Sequence, residues 1–290
     1  MKLFTGTMTD GQAVAGHIAG DEAVVCAMGA EATGAVLAMI AGGAPARAAW
    51  ASRTGPRVPL SEIRLTAPIP EPRRDIFCVG KNYYEHALEF HGSGFDSSAK
   101  EQVPSAPVIF TKATTSVIGP GEVVRASIDP TGSVDYEGEL GVVIGRRCFG
   151  VPKSEAMAQV FGYVIVNDVT SRELQKRHNQ WTIGKGCDTF CPMGPWIVSA
   201  DEIADPTALE LVTEVNGEVR QKARVRALIF DIPTLIETLS STITLLPGDI
   251  IATGTPAGVG IGFSPPVYLR RGDRVRVAIT GLGVLENPIG

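Results

Sequence analysis

Two glutamates at neighbouring odd positions, Glu137 and Glu139, are the first residues whose spacing suggests chemistry. They lie in VDYEGELGVVIG, whose β-branched continuation predicts a strand. Side chains alternate between the two faces of a strand, so both carboxylates should project from the same face. Two like charges that close are unfavourable unless a cation lies between them or one carboxylate takes up a proton. The pair is therefore either part of a metal site or the solvated face of an exposed strand.

A third carboxylate, Asp168, follows the apolar run FGYVIVN, which predicts a buried strand that ends beside an open site. Three carboxylates without a His or Cys partner form a hard oxygen ligand set. Such a set favours Mg²⁺ or Mn²⁺, with Ca²⁺ as a substitute, over zinc or copper. A second interpretation of Asp168 stays open, because it could cap a helix formed by TSRELQKR.

His86 and Glu89 are three residues apart in NYYEHALEF, so one helical turn places them on the same face. A carboxylate that orients a His fixes its tautomer and stabilises the imidazolium, which is the usual form of a general base that activates water. The polar, Gly- and Ser-rich segment after them is unusually long for a connection. It predicts either a lid or a disordered loop, and we favour a lid over about residues 86–107.

Lys185 lies between two glycines in IGKGCDTF, where it could neutralise a substrate carboxylate or a developing oxyanion. A surface lysine in a glycine turn fits the local sequence equally well. The loop GTPAGVG, residues 254–260, exposes backbone N–H groups that could hold an anion. It lacks the Lys-Ser/Thr of a phosphate-binding loop and the strand–helix context of a dinucleotide-binding motif, which excludes nucleotide binding.

Short β-rich runs must position these residues, since they dominate the chain from Asp75 onward and predict a large, mainly antiparallel β structure. The 33 Gly and 20 Pro residues have no repeat period and indicate many turns and few helices. Asn216-Gly217 predicts a hairpin turn, and two Gly-Asp turns should each open a strand. We expect helices at about 32–40, 83–90, 153–158 and 232–241. Residues 1–70 end in a Pro-rich passage and should form a small N-terminal module, with the catalytic domain over 71–290.

Composition excludes several classes of protein. The net charge of −5 argues against nucleic-acid binding, which needs a concentrated basic surface. The N-terminal sequence shows no secretory signal, and the longest charge-free stretch is too short for a membrane span. Five cysteines are few for this length and suit a reducing compartment. We therefore expect a cytoplasmic protein with no nucleic-acid or membrane partner.

Seven motifs, taken in this order, strongly resemble the fumarylacetoacetate hydrolase family. They extend from about Thr66 to Pro288 and read CVGKNYYEHALE, PVIFTK, VDYEGELGVVIG, GYVIVNDVTSRELQ, GKGCDTFCPMGPWIV, LLPGDIIATGTPAGVG and GDRVRVAITGLGVLENP. The resemblance implies an α+β, mainly β fold, a mixed β-sandwich roll with few short helices. It also implies a homodimer.

The same resemblance implies a role for each candidate residue. Magnesium or manganese is bound by the acidic set Glu137, Glu139 and Asp168. The catalytic group matches the acylpyruvase-like branch and comprises His86, Glu89 and Lys185. Substrate is held by Gln175 and Thr255, and Arg172 organises the site. Cys187 departs from the Ser or Gly that members commonly carry there, which bears on specificity.

The parts predict a metal-dependent hydrolase that cleaves a C–C bond in a 1,3-diketone or acylpyruvate-type acid, similar to fumarylpyruvate or fumarylacetoacetate. Glu89 would orient His86, His86 would deprotonate water, Lys185 would stabilise the oxyanion, and the metal would stabilise the enolate that leaves. The alternative is a decarboxylase or isomerase of oxaloacetate-like or hydroxymuconate-type acids in aromatic catabolism. A non-catalytic binding member of the fold is a third hypothesis.

Overall fold

The computed structural model describes residues 1–95 and 101–290, and most of its regular structure is β. Its strands are β1 Lys2–Met8, β2 Ala13–Ala19, β3 Glu22–Met28, β4 Arg57–Pro59, β5 Ile63–Thr66, β6 Ile76–Gly80, β7 Val108–Lys112, β8 Val117–Ile118, β9 Val134–Asp135, β10 Gly138–Ile144, β11 Val160–Asn167, β12 Thr170–Ser171, β13 Cys191–Ser199, β14 Glu210–Val215, β15 Glu218–Arg224, β16 Ile250–Ala252, β17 Arg274–Ile279 and β18 Gly283–Pro288. Its α-helices are α1 Ala32–Ala41, α2 Gly43–Ala51, α3 Tyr84–Gly92, α4 Arg172–Arg177, α5 Thr182–Lys185 and α6 Ile232–Ser240. The longest of these helices, α1, has 10 residues. The prediction of an α+β, mainly β fold with short helices is confirmed.

The strands form one large and two small sheets. The large sheet has 12 strands and runs β4-β3-β2-β1-β13-β11-β10-β16-β6-β7, with β5 added on β1 and β8 on β13. The pairs β16–β6 and β13–β8 are parallel, and the other pairs in this sheet are antiparallel. A four-stranded sheet, β15-β14-β17-β18, and the short pair β12-β9 complete the set. The sheet is thus mixed and mainly antiparallel, as predicted.

Strands β10 and β11 are buried on both faces, which explains their nearly continuous apolar sequence. Leu140 and Val142 pack in a core between the large sheet and the four-stranded sheet, where Val277 of β17 also lies. Val143 projects from the opposite face of β10 and packs in a second core together with Val36 of α1. The two central strands therefore lie at the middle of the sandwich, and their ends are rigid places for polar side chains.

Residues 1–70 extend the large sheet. Strand β1 pairs with β13, with Leu3 opposite Ile197, so this region shares the sheet of the rest of the chain. It also contains α2, a helix that the Pro-rich sequence did not predict. Pro45 lies in the first turn of α2, where the missing backbone N–H costs no helical hydrogen bond. Whether this region folds as a separate module stays a prediction.

The turns follow the sequence closely. Asn216 and Gly217 both have positive φ, 54° and 81°, and join β14 to β15 as the predicted hairpin. The two Gly-Asp turns precede β16 and β17 as expected. The segment predicted as α-helix near residue 153 is a 3₁₀ helix, Lys153–Gln159, preceded by Pro152.

The predicted lid is only partly described. Residues 86–92 belong to α3, so this part of the expected lid is helical. Residues 93–95 and 101–107 form no helix or strand, and 96–100 lie outside the described residues. Within the described chain, no helix combines the length and the apolar character needed to cross a membrane.

Candidate active site

The three predicted metal ligands come together where β10 and β11 meet. Gly138 pairs with Asn167, so the glutamates on either side of Gly138 lie beside Asp168, which follows β11. One oxygen of each carboxylate lies within 4.8 Å of the other two. Glu137, Glu139 and Asp168 are 5%, 1% and 0% exposed. The solvated-strand interpretation is therefore wrong, and so is the helix-cap interpretation of Asp168, because Ser171 occupies the N-cap position of α4.

Two buried lysines contact this acidic cluster. Lys185 Nζ lies 2.9 Å from Glu137 Oε2 and 2.8 Å from Asp168 Oδ2, which rules out the surface-turn interpretation of Lys185. Lys112 Nζ lies 2.6 Å from Asp168 Oδ1 and donates to the carbonyl of Val169. Lys112 was not predicted to belong to the site, although its place at the end of the apolar run PVIFTK was a signal for a buried cation.

The carboxylates differ in their surroundings. Burial opposes ionisation of Glu137, but the Lys185 and Arg172 cations prevail and lower its pKa to about 2. Burial, Asp168 and Glu137 instead raise the pKa of Glu139 well above its usual value. Glu139 accepts a hydrogen bond of 2.8 Å from the Gly254 N–H and has no ion pair within the described part of the chain.

This donor set fits a divalent cation. Three converging carboxylate oxygens are hard ligands suited to Mg²⁺ or Mn²⁺, and a cation there would relieve the repulsion at Glu139. The residues Glu137, Glu139 and Asp168 would hold it.

The predicted base and its partner lie on α3. His86 is 4% exposed, and its Nδ1 is 3.0 Å from Glu89 Oε2. The other oxygen of Glu89 accepts a hydrogen bond of 2.9 Å from the Gly258 N–H. Glu89 is thus fixed from both sides, and Nε2 of His86 is the ring nitrogen left for a ligand.

The base and one member of the acidic cluster, Glu137, line the same narrow cavity. Its lining comprises Gly80, Lys81, His86, Phe90, Glu137, Arg172, Gln175, Trp181 and Lys185. Five of the nine residues chosen from sequence therefore line the same space, and Glu89 supports it from behind. Thr255 is not among the lining residues. Its hydroxyl donates to the carbonyl of Gly138 at 2.9 Å and braces β10, so its contact with substrate stays a prediction.

Arg172 is fully buried and connects several parts of the site. Its Nη1 is 2.7 Å from Glu137 Oε1 and 3.1 Å from Gln175 Oε1, and its Nε is 2.9 Å from Asp135 Oδ2. Its Nη2 is buried without a hydrogen-bond partner within the described residues. The organising role of Arg172 stays a prediction, which these contacts would suit, and Nη2 remains available to an anionic ligand.

Three N–H groups of the glycine loop, those of Gly254, Gly258 and Gly260, donate to carboxylates of the protein itself. Gly258 donates to Glu89, while Gly260 and Ile261 donate to Asp135. The anions that the loop holds are thus side chains of the protein itself. Asp135 was not singled out from the sequence, although it directly precedes the motif YEGEL.

Comparison with known proteins agrees with this geometry. The family model "Fumarylacetoacetate (FAA) hydrolase C-terminal" matches residues 75–290. Oxaloacetate tautomerase YisK of Bacillus subtilis (strain 168) is 51% identical over 231 residues, which cover 80% of this chain and 74% of that protein.

Among the solved structures that are similar over the whole chain, two are informative about the site. The fumarylacetoacetate hydrolase of psychrophilic Exiguobacterium antarcticum has a TM-score of 0.82 and 38% identity, with 99% of its chain covered. The maleylpyruvate hydrolase of Sphingobium sp. SYK-6, in complex with manganese (II) ion and pyruvate, has a TM-score of 0.78 and 32% identity, with 98% covered. With its motifs, fold and buried acidic site in agreement, the chain belongs to the fumarylacetoacetate hydrolase family of enzymes.

Proposed function

We propose that this protein is a tautomerase of oxaloacetate or a closely similar 2-oxo dicarboxylic acid. The observation that carries the proposal is the 51% identity to an oxaloacetate tautomerase in a chain whose His86 lines the same cavity as Glu137. The reaction moves one proton from the enol oxygen at C2 to C3, and no bond between carbon atoms breaks. Isomerisation, the alternative in the sequence analysis, thus replaces C–C hydrolysis as the main hypothesis.

A divalent ion held by Glu137, Glu139 and Asp168 would supply Lewis-acid polarisation of the 2-oxo group, which makes the neighbouring carbon more acidic. The rest of the chemistry belongs to the side chains. Arg172 Nη2 would bind the substrate carboxylate, and Gln175, hydrogen-bonded to the same guanidinium, would orient it.

His86 would transfer the proton. Glu89 holds Nδ1, so Nε2 can accept a proton from the enol hydroxyl and deliver it to C3. Phe90 and Trp181, in edge-to-face contact at 5.7 Å, form the apolar wall of the cavity and would exclude water from the transfer. Water must be excluded because it could itself donate a proton to C3, and the transfer would then no longer depend on His86.

Hydrolysis of an acylpyruvate remains a second candidate, and the His86–Glu89 pair is the observation that favours it. A His oriented by a carboxylate can deprotonate water as readily as it moves a substrate proton. The similar maleylpyruvate hydrolase contains pyruvate, the product class of such a cleavage. The same residues would serve both reactions, and the difference would be one additional water.

A substrate panel tests the proposal. Enol-oxaloacetate, oxaloacetate, fumarylpyruvate, maleylpyruvate and a hydroxymuconate-type acid are each followed by ultraviolet absorbance with Mg²⁺ or Mn²⁺, and product is identified by NMR. We expect the largest kcat/KM for enol-to-keto conversion of oxaloacetate, without release of CO₂. If an acylpyruvate is cleaved faster than oxaloacetate tautomerises, hydrolysis is the function.

The working form proposed from the family resemblance is a homodimer that takes a small 2-oxo acid in the cytoplasm. Light scattering after size-exclusion chromatography measures the mass in solution. A mass near twice 30.6 kDa is expected.

A further inference from the structure

Asp135 is a buried aspartate outside the predicted set of site residues. It connects the acidic half of the site, which contains Glu137 and Arg172, with the basic half, which contains His86 and Glu89. Asp135 ends β9 and is 0% exposed. Its Oδ1 accepts hydrogen bonds from the N–H groups of Tyr136 (2.9 Å) and Gly260 (2.7 Å). Its Oδ2 accepts from the Ile261 N–H (3.1 Å) and from Arg172 Nε (2.9 Å). The carboxylate of Asp135 thus accepts four hydrogen bonds, all from groups of the protein.

One of these four donors, Arg172, also contacts the acidic half of the site. The same guanidinium whose Nε is bound to Asp135 contacts Glu137 and Gln175 through Nη1. A guanidinium is planar and rigid, so the bond at Nε fixes the direction of both terminal nitrogens. Asp135 therefore determines where the unpartnered Nη2 of Arg172 lies.

Two other donors, the N–H groups of Gly260 and Ile261, connect Asp135 with the basic half of the site. Gly260 belongs to the glycine loop, whose Gly258 N–H binds Glu89, the partner of His86, and Ile261 directly follows this loop. The fit is close: a Cβ on Gly262 would lie 1.9 Å from Glu89 Oε1, and one on Gly260 would lie 2.7 Å from Asp135 Oδ1. A displacement of Asp135 would therefore move the loop against Glu89.

We propose that Asp135 is a positioning residue that aligns Arg172 with the substrate carboxylate and, through the glycine loop, Glu89 with His86. The proposal rests on the proposed function, because it assumes that a 2-oxo acid binds Arg172. The neutral Asp135→Asn side chain has nearly the same shape but turns one acceptor into a donor. That donor would face Arg172 Nε or a loop N–H, so one bond is lost and a buried guanidinium loses its counter-charge.

A control is provided by a second aspartate–arginine pair, in which the aspartate is buried and the arginine, Arg74, is partly exposed. Asp249, 6% exposed, accepts hydrogen bonds from Arg74 Nε (3.0 Å) and from the Leu246 N–H (2.6 Å). It precedes β16, at the end opposite Gly254, and none of its contacts is a cavity residue. Asp249→Asn thus makes the same chemical change in a pair that lies outside the cavity lining.

The test compares Asp135→Asn and Asp249→Asn in the full chain. Thermal unfolding, Mn²⁺ affinity, pyruvate affinity in the presence of Mn²⁺ and the kinetics of oxaloacetate tautomerisation are measured for each. We expect both variants to lose stability, and only Asp135→Asn to lose about 10- to 100-fold in kcat and in pyruvate affinity. In a Glu89→Gln background, the loss of kcat caused by Asp135→Asn should shrink, because both changes disturb the same base.

A second variant protects the test against misfolding. Asp135→Glu keeps the counter-charge of Arg172 but shifts the carboxylate by one methylene, and we expect about a tenfold loss of pyruvate affinity in a folded protein. Unchanged pyruvate affinity and kcat in a folded Asp135 variant would overturn the proposal, as would equal losses in Asp249→Asn. Pyruvate binding separates this outcome from failure of the proposed function, since it is measured even if the wild type does not tautomerise oxaloacetate.

Discussion

The region of β1–β5 and the region where β10 meets β11 belong to one sheet but use opposite kinds of core. In the first, Phe4, Val14 and Val25 form an apolar cluster, and the ion pair of Arg57 with Glu22 lies on the surface. In the second, carboxylates, lysines and an arginine contact each other at 2.6–2.9 Å, almost without exposure to water.

The apolar region contributes mainly to stability, whereas the charged region provides the groups for chemistry. Burial of apolar surface stabilises by about 25 cal/mol per Å², whereas buried charges stabilise only if each is paired. The charged region is held in place by the large apolar core around it, which includes Leu140 and Ile165. It has little stability of its own to contribute, but it holds charges ready for a cation and a substrate.

The largest effect expected concerns the base. His86→Ala should lower kcat about 10²- to 10⁴-fold while Mn²⁺ affinity stays as in the wild type, because His86 belongs to the pair with Glu89 and not to the ligand set. Kinetics and titration with Mn²⁺ measure the two quantities. His178→Ala, on an exposed residue that follows α4, is the control. An unimpaired His86→Ala enzyme would remove the base from the mechanism.

The apolar region should respond in the opposite way. Phe4→Ala removes a fully buried ring from its cluster and should lower the free energy of unfolding by about 3–5 kcal/mol. The kcat of the folded fraction should not change. Urea unfolding gives the free energy, and Phe149→Ala, at a ring that is 63% exposed, is the control. A large fall in kcat would mean that the two regions are coupled.

Glu139→Gln should separate stability from function within the charged region. We expect Mn²⁺ affinity to fall about 100-fold, because one of three charged ligands is neutralised. The metal-free protein should be as stable as the wild type or more stable, since Glu139 then no longer repels Asp168 and Glu137. Calorimetry with and without Mn²⁺ measures both. Glu286→Gln, on the half-exposed partner of Arg274, is the matched control.

The smallest effect is expected for the surface ion pair. Arg57 and Glu22 have side chains that are 60% and 47% exposed at a separation of 2.9 Å. Arg57→Ala should therefore lower the free energy of unfolding by about 0.5 kcal/mol or less, and added salt should reduce the difference further. Chemical unfolding at low and high ionic strength checks this. A loss of several kcal/mol would contradict the contrast between exposed and buried pairs.

Local spacing carried most of the correct predictions for the site. The i, i+2 relation of Glu137 to Glu139 and the i, i+3 relation of His86 to Glu89 follow from the periods of a strand and a helix. Asp135 and Lys112 were missed because their partners lie far away in sequence: Asp135 binds Gly260, and Lys112 binds Asp168. The choice between hydrolysis and tautomerisation was also beyond the sequence motifs, because the same residues can serve both.

The family could be inferred from the seven sequence motifs, and the mainly β fold and the residue types of the ligand set and the base could be inferred from the residues themselves. These are properties of composition and of neighbours along the chain, which backbone periodicity converts directly into geometry. The pairing of the buried charged side chains, in contrast, depends on how the strands pack in three dimensions. The register that pairs Gly138 with Asn167, together with the burial of both strands, brings Asp168 to the glutamates and Lys185 between them. Such contacts depend on the packing of the whole sandwich, because the strength of a charge pair is set by the water that surrounding residues exclude.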